Sequence, residues 1–270
     1  MKRNTVPSVV AMSLLVAGVL SGTGCGTADP GGSDGPAVGT IEQALAAEPG
    51  TVVRVRGALV VSGADVVLAT ALLESYPPQA GGVILEVKGL DLDSLVGLNS
   101  TAGQPDLAQV TWSDYQLTLE GVIEDGALEV QKVPRSIESS SQGMRIRFAP
   151  VSEPLSAGDA LWWALDVKNI DVVPLELVFT SGQRGDVILT QSGVEKYRWS
   201  ADKFFTEAIE TVGLEPGQVV SVVLRDVLMV APGDYELTAR ITASVGPAGG
   251  GWDAAPGPPL PEVRTTITVR

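Results

Sequence analysis

Few residues in this chain are of a type that does chemistry. The only cysteine is Cys25, and there is no histidine. A lone thiol makes no internal disulfide, no CxxC redox pair and no structural zinc site. Without imidazole the chain loses the commonest general base, the commonest metal ligand and every Ser–His or Cys–His arrangement. Asp91, Asp93 and Asp114 carry the oxygen ligands that calcium takes, but their spacing lacks the EF-hand pattern and they read as solvated carboxylates. Carboxylate-pair, Ser–Lys and substrate-assisted chemistry stay open in principle, and no motif supports any of them. The expectation is a protein that is not an enzyme and uses no cofactor or metal.

A chain without catalytic equipment works through its surfaces, and the composition says what kind. Of the 270 residues, 44% are hydrophobic and 19% charged, so the chain folds. The 31 Gly and 18 Pro favour many short strands joined by turns. The length suits two domains of ordinary size. A net charge of -14 repels phosphate backbones and excludes nucleic acid as a partner, while acidic surfaces keep exported proteins soluble.

The N-terminus reads as an address. Lys2 and Arg3 precede an apolar run from Val6 to Leu20, too short to span a bilayer but suited to a signal peptide. Ser21, Gly22, Thr23 and Gly24 lead to Cys25, which resembles the bacterial lipoprotein signal, with Gly22 where Leu, Val or Ile is preferred. The resemblance implies cleavage before Cys25, lipidation of its thiol and anchoring of an exported protein to the cell membrane, with two acyl chains sufficing for stable attachment. Residues 26–39, rich in Gly, Pro and Asp, form a flexible linker of ~20 Å reach.

Residues 40–135 pattern as a first β-domain. Thr40 and Gln43 form a capping box over a short helix stopped at Pro49-Gly50. Val52–Val61 and Asp65–Glu74 make a hairpin across Ser62-Gly63-Ala64, and Val83–Val87 adds a third strand. Leu90–Leu95 suits one helical turn and Asn99–Asp106 a loop; Tyr115–Ile123 and Ala127–Val130 then pair across Asp125-Gly126. The order strand, strand, strand, short helix, strand, strand resembles an OB-like small barrel. Residues 40–147 hold 7 Lys+Arg against 14 Asp+Glu and few aromatics, which argues against the nucleic-acid binding that basic, aromatic-lined grooves of that kind perform. Trp112 reads as a core plug.

Ser136–Gly143 reads as a polar linker. From 144 to 270 about seven short strands, beginning with Leu161–Val167, suggest an immunoglobulin-like β-sandwich. Pro232-Gly233-Asp234-Tyr235 has the form of a tyrosine corner, with the Tyr235 hydroxyl expected on nearby backbone. The chain is thus expected to be all-β throughout.

Five blocks in this second half stand in a definite order. They are Phe179–Asp186 (FTSGQRGD), Tyr197–Ser200 (YRWS), Phe204–Ala208 (FFTEA), Leu214–Gly217 (LEPG) and Pro232–Tyr235 (PGDY). Together they resemble the BsuPI-type intracellular proteinase inhibitor domain. Gly185 stands where that family usually has an aromatic, and Glu207 where Gln is common. The resemblance implies an all-β sandwich and a protein partner, a serine protease in the founding case. It points to Ser181, Gly182, Gln183, Arg184, Arg198 and Trp199 as candidate contact residues; packing also accounts for them, with Arg198 pairing to Asp186 or Glu195 and Trp199 in the core. Trp252 is added from Gly246–Pro261, which reads as an insertion or a recognition loop.

The expected protein is therefore a monomeric, non-enzymatic envelope lipoprotein carrying an inhibitor-like binding module. The alternative is an envelope scaffold or adhesion lipoprotein without inhibitory activity. The address yields a first prediction: the mature chain partitions into the detergent phase of a cell extract, and Cys25→Ser leaves it in the aqueous phase. Equal partitioning of the two would refute lipidation.

Overall fold

The computed structural model describes residues 36–150, 155–158, 160–249 and 257–270. Cys25, the signal and most of the linker lie outside the described residues, as does Trp252.

The first part contains β1 (Val38–Gly39), α1 (Ile41–Leu45), β2 (Val52–Ser62), β3 (Asp65–Leu72), β4 (Ala80–Lys88), a 3-10 turn at Leu92–Ser94, β5 (Leu98–Ser100), β6 (Val110–Glu124) and β7 (Ala127–Lys132). The Thr40 hydroxyl accepts from the Gln43 amide (3.3 Å) and the Gln43 side chain accepts from the Thr40 amide (2.8 Å), so the capping box forms. The helix it starts buries Ile41 and Ala44 against the strands. Asp125 and Gly126 both take positive φ, 50° and 77°, which a two-residue hairpin turn requires.

Pairing in this part returns to its start. The order β2-β3-β4-β7-β6 is completed by a β2–β6 ladder, so five strands are hydrogen-bonded in a closed ring, with β4 and β7 parallel. Arg54 and Glu120 face each other across β2 and β6 at 2.6 Å. Where the register of that ladder slips after Ala58, the buried Ser113 hydroxyl accepts from the Leu59 amide (2.8 Å) and donates to the Tyr115 carbonyl (2.8 Å). Trp112 is buried, with its Nε1 donating to Asp114 at 2.8 Å.

The second part contains β8 (Ile137–Ser141), β9 (Met144–Pro150), β10 (Ala160–Asn169), β11 (Leu175–Phe179), β12 (Gly185–Gln191), β13 (Val194–Arg198), β14 (Glu210–Leu214), β15 (Val219–Val227), β16 (Gly233–Ile241), β17 (Ala243–Pro247) and β18 (Val263–Val269). They form three sheets, β15-β10-β9-β8, β14-β11-β17 and β13-β12-β16-β18, around one core in which Phe148 stacks on Trp163 at 5.7 Å. The Tyr235 hydroxyl donates to the Ala231 carbonyl at 2.6 Å, as a tyrosine corner requires.

The polar stretch 136–143 is not a linker. Ile137–Ser141 is β8, paired in full with β9. Three consecutive serines follow Ile137 and Glu138 on a sheet edge, where polar side chains are tolerated on both faces. Nor do the two parts stand apart, since Gly35–Arg270 is one compact unit. The strand responsible is β10. Trp163, Leu165 and Val167 face the sandwich core, whereas Ala164 and Trp162 join Ala149 and Val223 in the core of the ring. A strand buried on both faces reads as a continuous apolar run, which is how Leu161–Leu165 looks in the sequence.

Polar contacts lock this junction. The segment between β4 and β6 lies on the outer face of β9, β10 and β15. Arg147 donates to the carbonyls of Asp93 (2.8 Å) and Leu95 (2.9 Å), and the Tyr115 hydroxyl donates to the Val96 carbonyl. Gly97 has φ of +83°, and a Cβ there would sit 2.7 Å from that of Ala164, so glycine alone fits. Its amide donates to Asp166 at 2.9 Å, and the Ser221 hydroxyl lies 2.7 Å from the same oxygen.

Burial raises the Asp166 carboxyl above its ordinary value, outweighing the bonds from Ser221 and Gly97 and the charge of Arg147. A carboxyl with a raised folded-state value binds its proton more tightly folded than unfolded. Its contribution to stability is therefore largest below the ordinary aspartate range and is lost as pH rises through the folded value. The wild type should gain stability relative to Asp166→Asn as pH falls from neutrality, levelling off below about pH 4. Paired thermal melts across pH 3 to 7 read this, and a constant difference would refute it.

Candidate functional site

Chain strands β11 and β12 are one strand interrupted, as are β16 and β17. β11 pairs with β17 and β12 with β16, so the chain changes sheet twice, side by side, at 180–184 and at Thr242. Ser181–Arg184 is the bulge at this crossing. The Thr242 hydroxyl donates to the Gln183 carbonyl (2.5 Å) and its amide to the Arg184 carbonyl (3.2 Å), which ties the two crossings together. Within the bulge the Ser181 hydroxyl accepts from the Gln183 amide (3.3 Å), and the Gln183 side chain donates to the Gly185 carbonyl (3.2 Å). Arg184 lies 4.2 Å over the Phe179 ring and pairs with Glu210.

The bulge pushes Gly182 toward the segment that follows β13. The Gly182 amide donates to the Thr206 carbonyl at 2.8 Å, and a Cβ on Gly182 would meet the Thr206 hydroxyl at 2.6 Å. Residue 182 must be small for this approach.

Beside the bulge, Asp186 is 1% exposed. One of its oxygens accepts from the Val187 amide (3.1 Å) and the Ser200 amide (3.2 Å). The other takes the Ser200 hydroxyl (3.0 Å), Arg198 (3.2 Å) and Arg240 (3.5 Å). A buried charge this well partnered holds its neighbours in place. Arg198 also pairs with Glu195 at 2.5 Å; donating to the Glu195 carboxylate holds the guanidinium above its usual range, and the same contact holds the Glu195 carboxyl below its own. Both pairings expected of Arg198 therefore occur together.

Trp199 is half-buried against the sandwich core and donates from Nε1 to the Arg225 carbonyl at 3.1 Å. Its outer side supports two residues of the next segment, Phe205 at 5.8 Å and the Lys203 ammonium at 4.9 Å. Lys203 also pairs with Asp226 and Asp202, each at 3.1 Å. Burial opposes its charge, but those carboxylates prevail and hold the ammonium above its ordinary value. Burial, together with a 2.9 Å bond to Asp226, pushes the Tyr197 hydroxyl well above its usual range.

The sequence-derived candidates among the described residues thus gather in one place. Ser181, Gln183, Arg184, Arg198 and Trp199 are partly buried and bonded within the fold, and Gly182 is exposed. What they surround is the segment from Ser200 to Ile209. Its backbone turns at 200–203, where the Ala201 amide donates to the Arg198 carbonyl, and then runs without strand pairing until β14. At its middle stands Phe204, 102% exposed. Phe204 stands in one of the ordered blocks but is not among the contact candidates. A usable signal is the adjacent pair Phe204-Phe205, in a chain with only 4 Phe, on a stretch with no alternation of apolar and polar residues.

Asp91 caps the 3-10 turn and Asp114 accepts from Asn99 (2.8 Å) and from Trp112. Among the described residues no group of three acidic or sulfur side chains is arranged to hold a metal.

Residues 152–245, in the second part of the chain, match the family model of BsuPI, intracellular proteinase inhibitor. No curated protein matches the chain in sequence. Among solved structures it is similar to the CARDB domain of a Pyrococcus furiosus protein, in complex with di-metal ions, at 10% identity and a TM-score of 0.26 over 52% of this chain and 95% of that one.

Because Asp186 serves five donors, Asp186→Ala should strip Arg198, Arg240 and Ser200 of a buried partner and cost about 2–4 kcal/mol of stability. Denaturant unfolding measures it, and a loss under ~0.5 kcal/mol would show that the carboxylate holds nothing together.

Proposed function

We propose that this protein is a non-enzymatic, lipid-anchored envelope protein whose BsuPI-type domain binds and inhibits an extracytoplasmic serine protease. One observation carries the reading. Two of the blocks that carry the inhibitor resemblance, Phe179–Asp186 and Tyr197–Ser200, meet a single irregular segment, Ser200–Ile209, which contains a third, and brace it from two sides. An inhibitor needs a loop held rigid enough that binding costs little ordering entropy, on a scaffold that does not yield. Asp186, Trp199 and Gly182 supply that bracing without any group suited to bond cleavage.

The N-terminal address supports the location. A signal of this type delivers the domain outside the cytoplasm, so its target differs in compartment from an intracellular one. The acidic surface, net -14 over the whole chain, favours a partner with a basic rim.

The test is inhibition of purified secreted serine proteases by the detergent-solubilised full chain. Progressive loss of turnover at nanomolar to micromolar concentrations, with the chain itself remaining intact, is the expected result. If every protease retains full activity and the chain is degraded, the inhibitory reading fails and a scaffold role takes its place.

A further inference from the structure

Resting on that reading, we infer that Phe204 is the specificity anchor of the interface, the side chain that enters an apolar S1-type pocket of the protease. Three features of the segment lead there. Phe204 is wholly exposed, whereas the residues on either side of it are anchored: Lys203 by Asp226, Asp202 and the face of Trp199, and Phe205 by the same indole. With both neighbours turned inward onto one support, the intervening side chain points outward. The backbone beyond is fastened again at Thr206, whose carbonyl accepts from Gly182.

A phenyl ring left entirely in water has no folding role in this chain, and it is held on a preorganised backbone. Large aromatic side chains so presented dominate interface energetics when they fill a pocket on the partner. The chemistry of the ring selects the pocket. An apolar slot takes it, whereas a pocket with a carboxylate at its base leaves that charge unpaired and rejects it. Glu207, three residues on, is exposed on the same loop.

The experiment compares the full-length chain with Phe204→Ala and Phe204→Arg against three probes: chymotrypsin and subtilisin, which prefer large apolar side chains, and trypsin, which prefers basic ones. The wild type should inhibit the first two and spare trypsin. Phe204→Ala should weaken inhibition about 100-fold without moving the melting temperature, because the side chain touches nothing in the folded chain. Phe204→Arg should transfer inhibition toward trypsin. If the wild type inhibits and Phe204→Ala inhibits equally well, the anchor lies elsewhere and the inhibitory reading stands. If the wild type inhibits none of the three, the anchor proposal fails with the reading beneath it.

Discussion

The architecture depends on a strand that serves two cores. β10 turns Trp163, Leu165 and Val167 inward to the sandwich and offers Ala164 and Trp162 to the ring. Each apolar residue there is removed from water by a different body, so neither part can move away without exposing the other's core. Asp166 is on the ring-facing side of the same strand. The bonds from Gly97, Ser221 and the Arg147 fork beside it are the means by which a polar group is kept in so apolar a seam. A rigid body results, in which the loop at 200–209 is held by a scaffold larger than the domain that carries it.

The same economy recurs at the sheet crossing. Two interrupted strands lie side by side, and the irregular residues between their halves do what regular strands cannot: they bring backbone amides out of the ladder and aim them at a neighbouring segment. Gly182 reaches Thr206 because the bulge carries it there. Asp186 follows the bulge directly and gathers Arg198, Arg240 and Ser200 from separate parts of the chain. Asp186, Trp199 and Gly182 are thus supports, and Phe204, in another of the ordered blocks, differs from them in being exposed.

Much of the fold was legible in the sequence because its signals are local. The Thr40–Gln43 capping box, the Asp125-Gly126 turn and the Pro232–Tyr235 corner each specify a backbone geometry within four residues, and each forms. The order of elements in the ring followed from alternation and turns alone. The polar run 136–143 misled because its serines carry no alternation, although β9 beside it supplies both the ladder and the apolar face that make it a strand. β14 escaped for a related reason, since Glu210–Leu214 is mostly exposed. The junction could not be read at all: a continuous apolar strand looks the same whether one core or two cover it, and Gly97 acquires its meaning only from Ala164 across the seam. Within the site, Arg198 and Trp199 announce themselves by type, while Phe204 does not, because exposure is a property of the fold.

The burial of Asp186 has a bearing on where such a protein can work. Dissolved ions screen charges that water reaches, and the pair Arg264–Glu262 on the surface weakens as ionic strength rises. The Asp186 carboxylate, which water scarcely reaches, is screened less than that surface pair. The loop it steadies is therefore held by a contact less sensitive to ionic strength than the ion pairs on the surface.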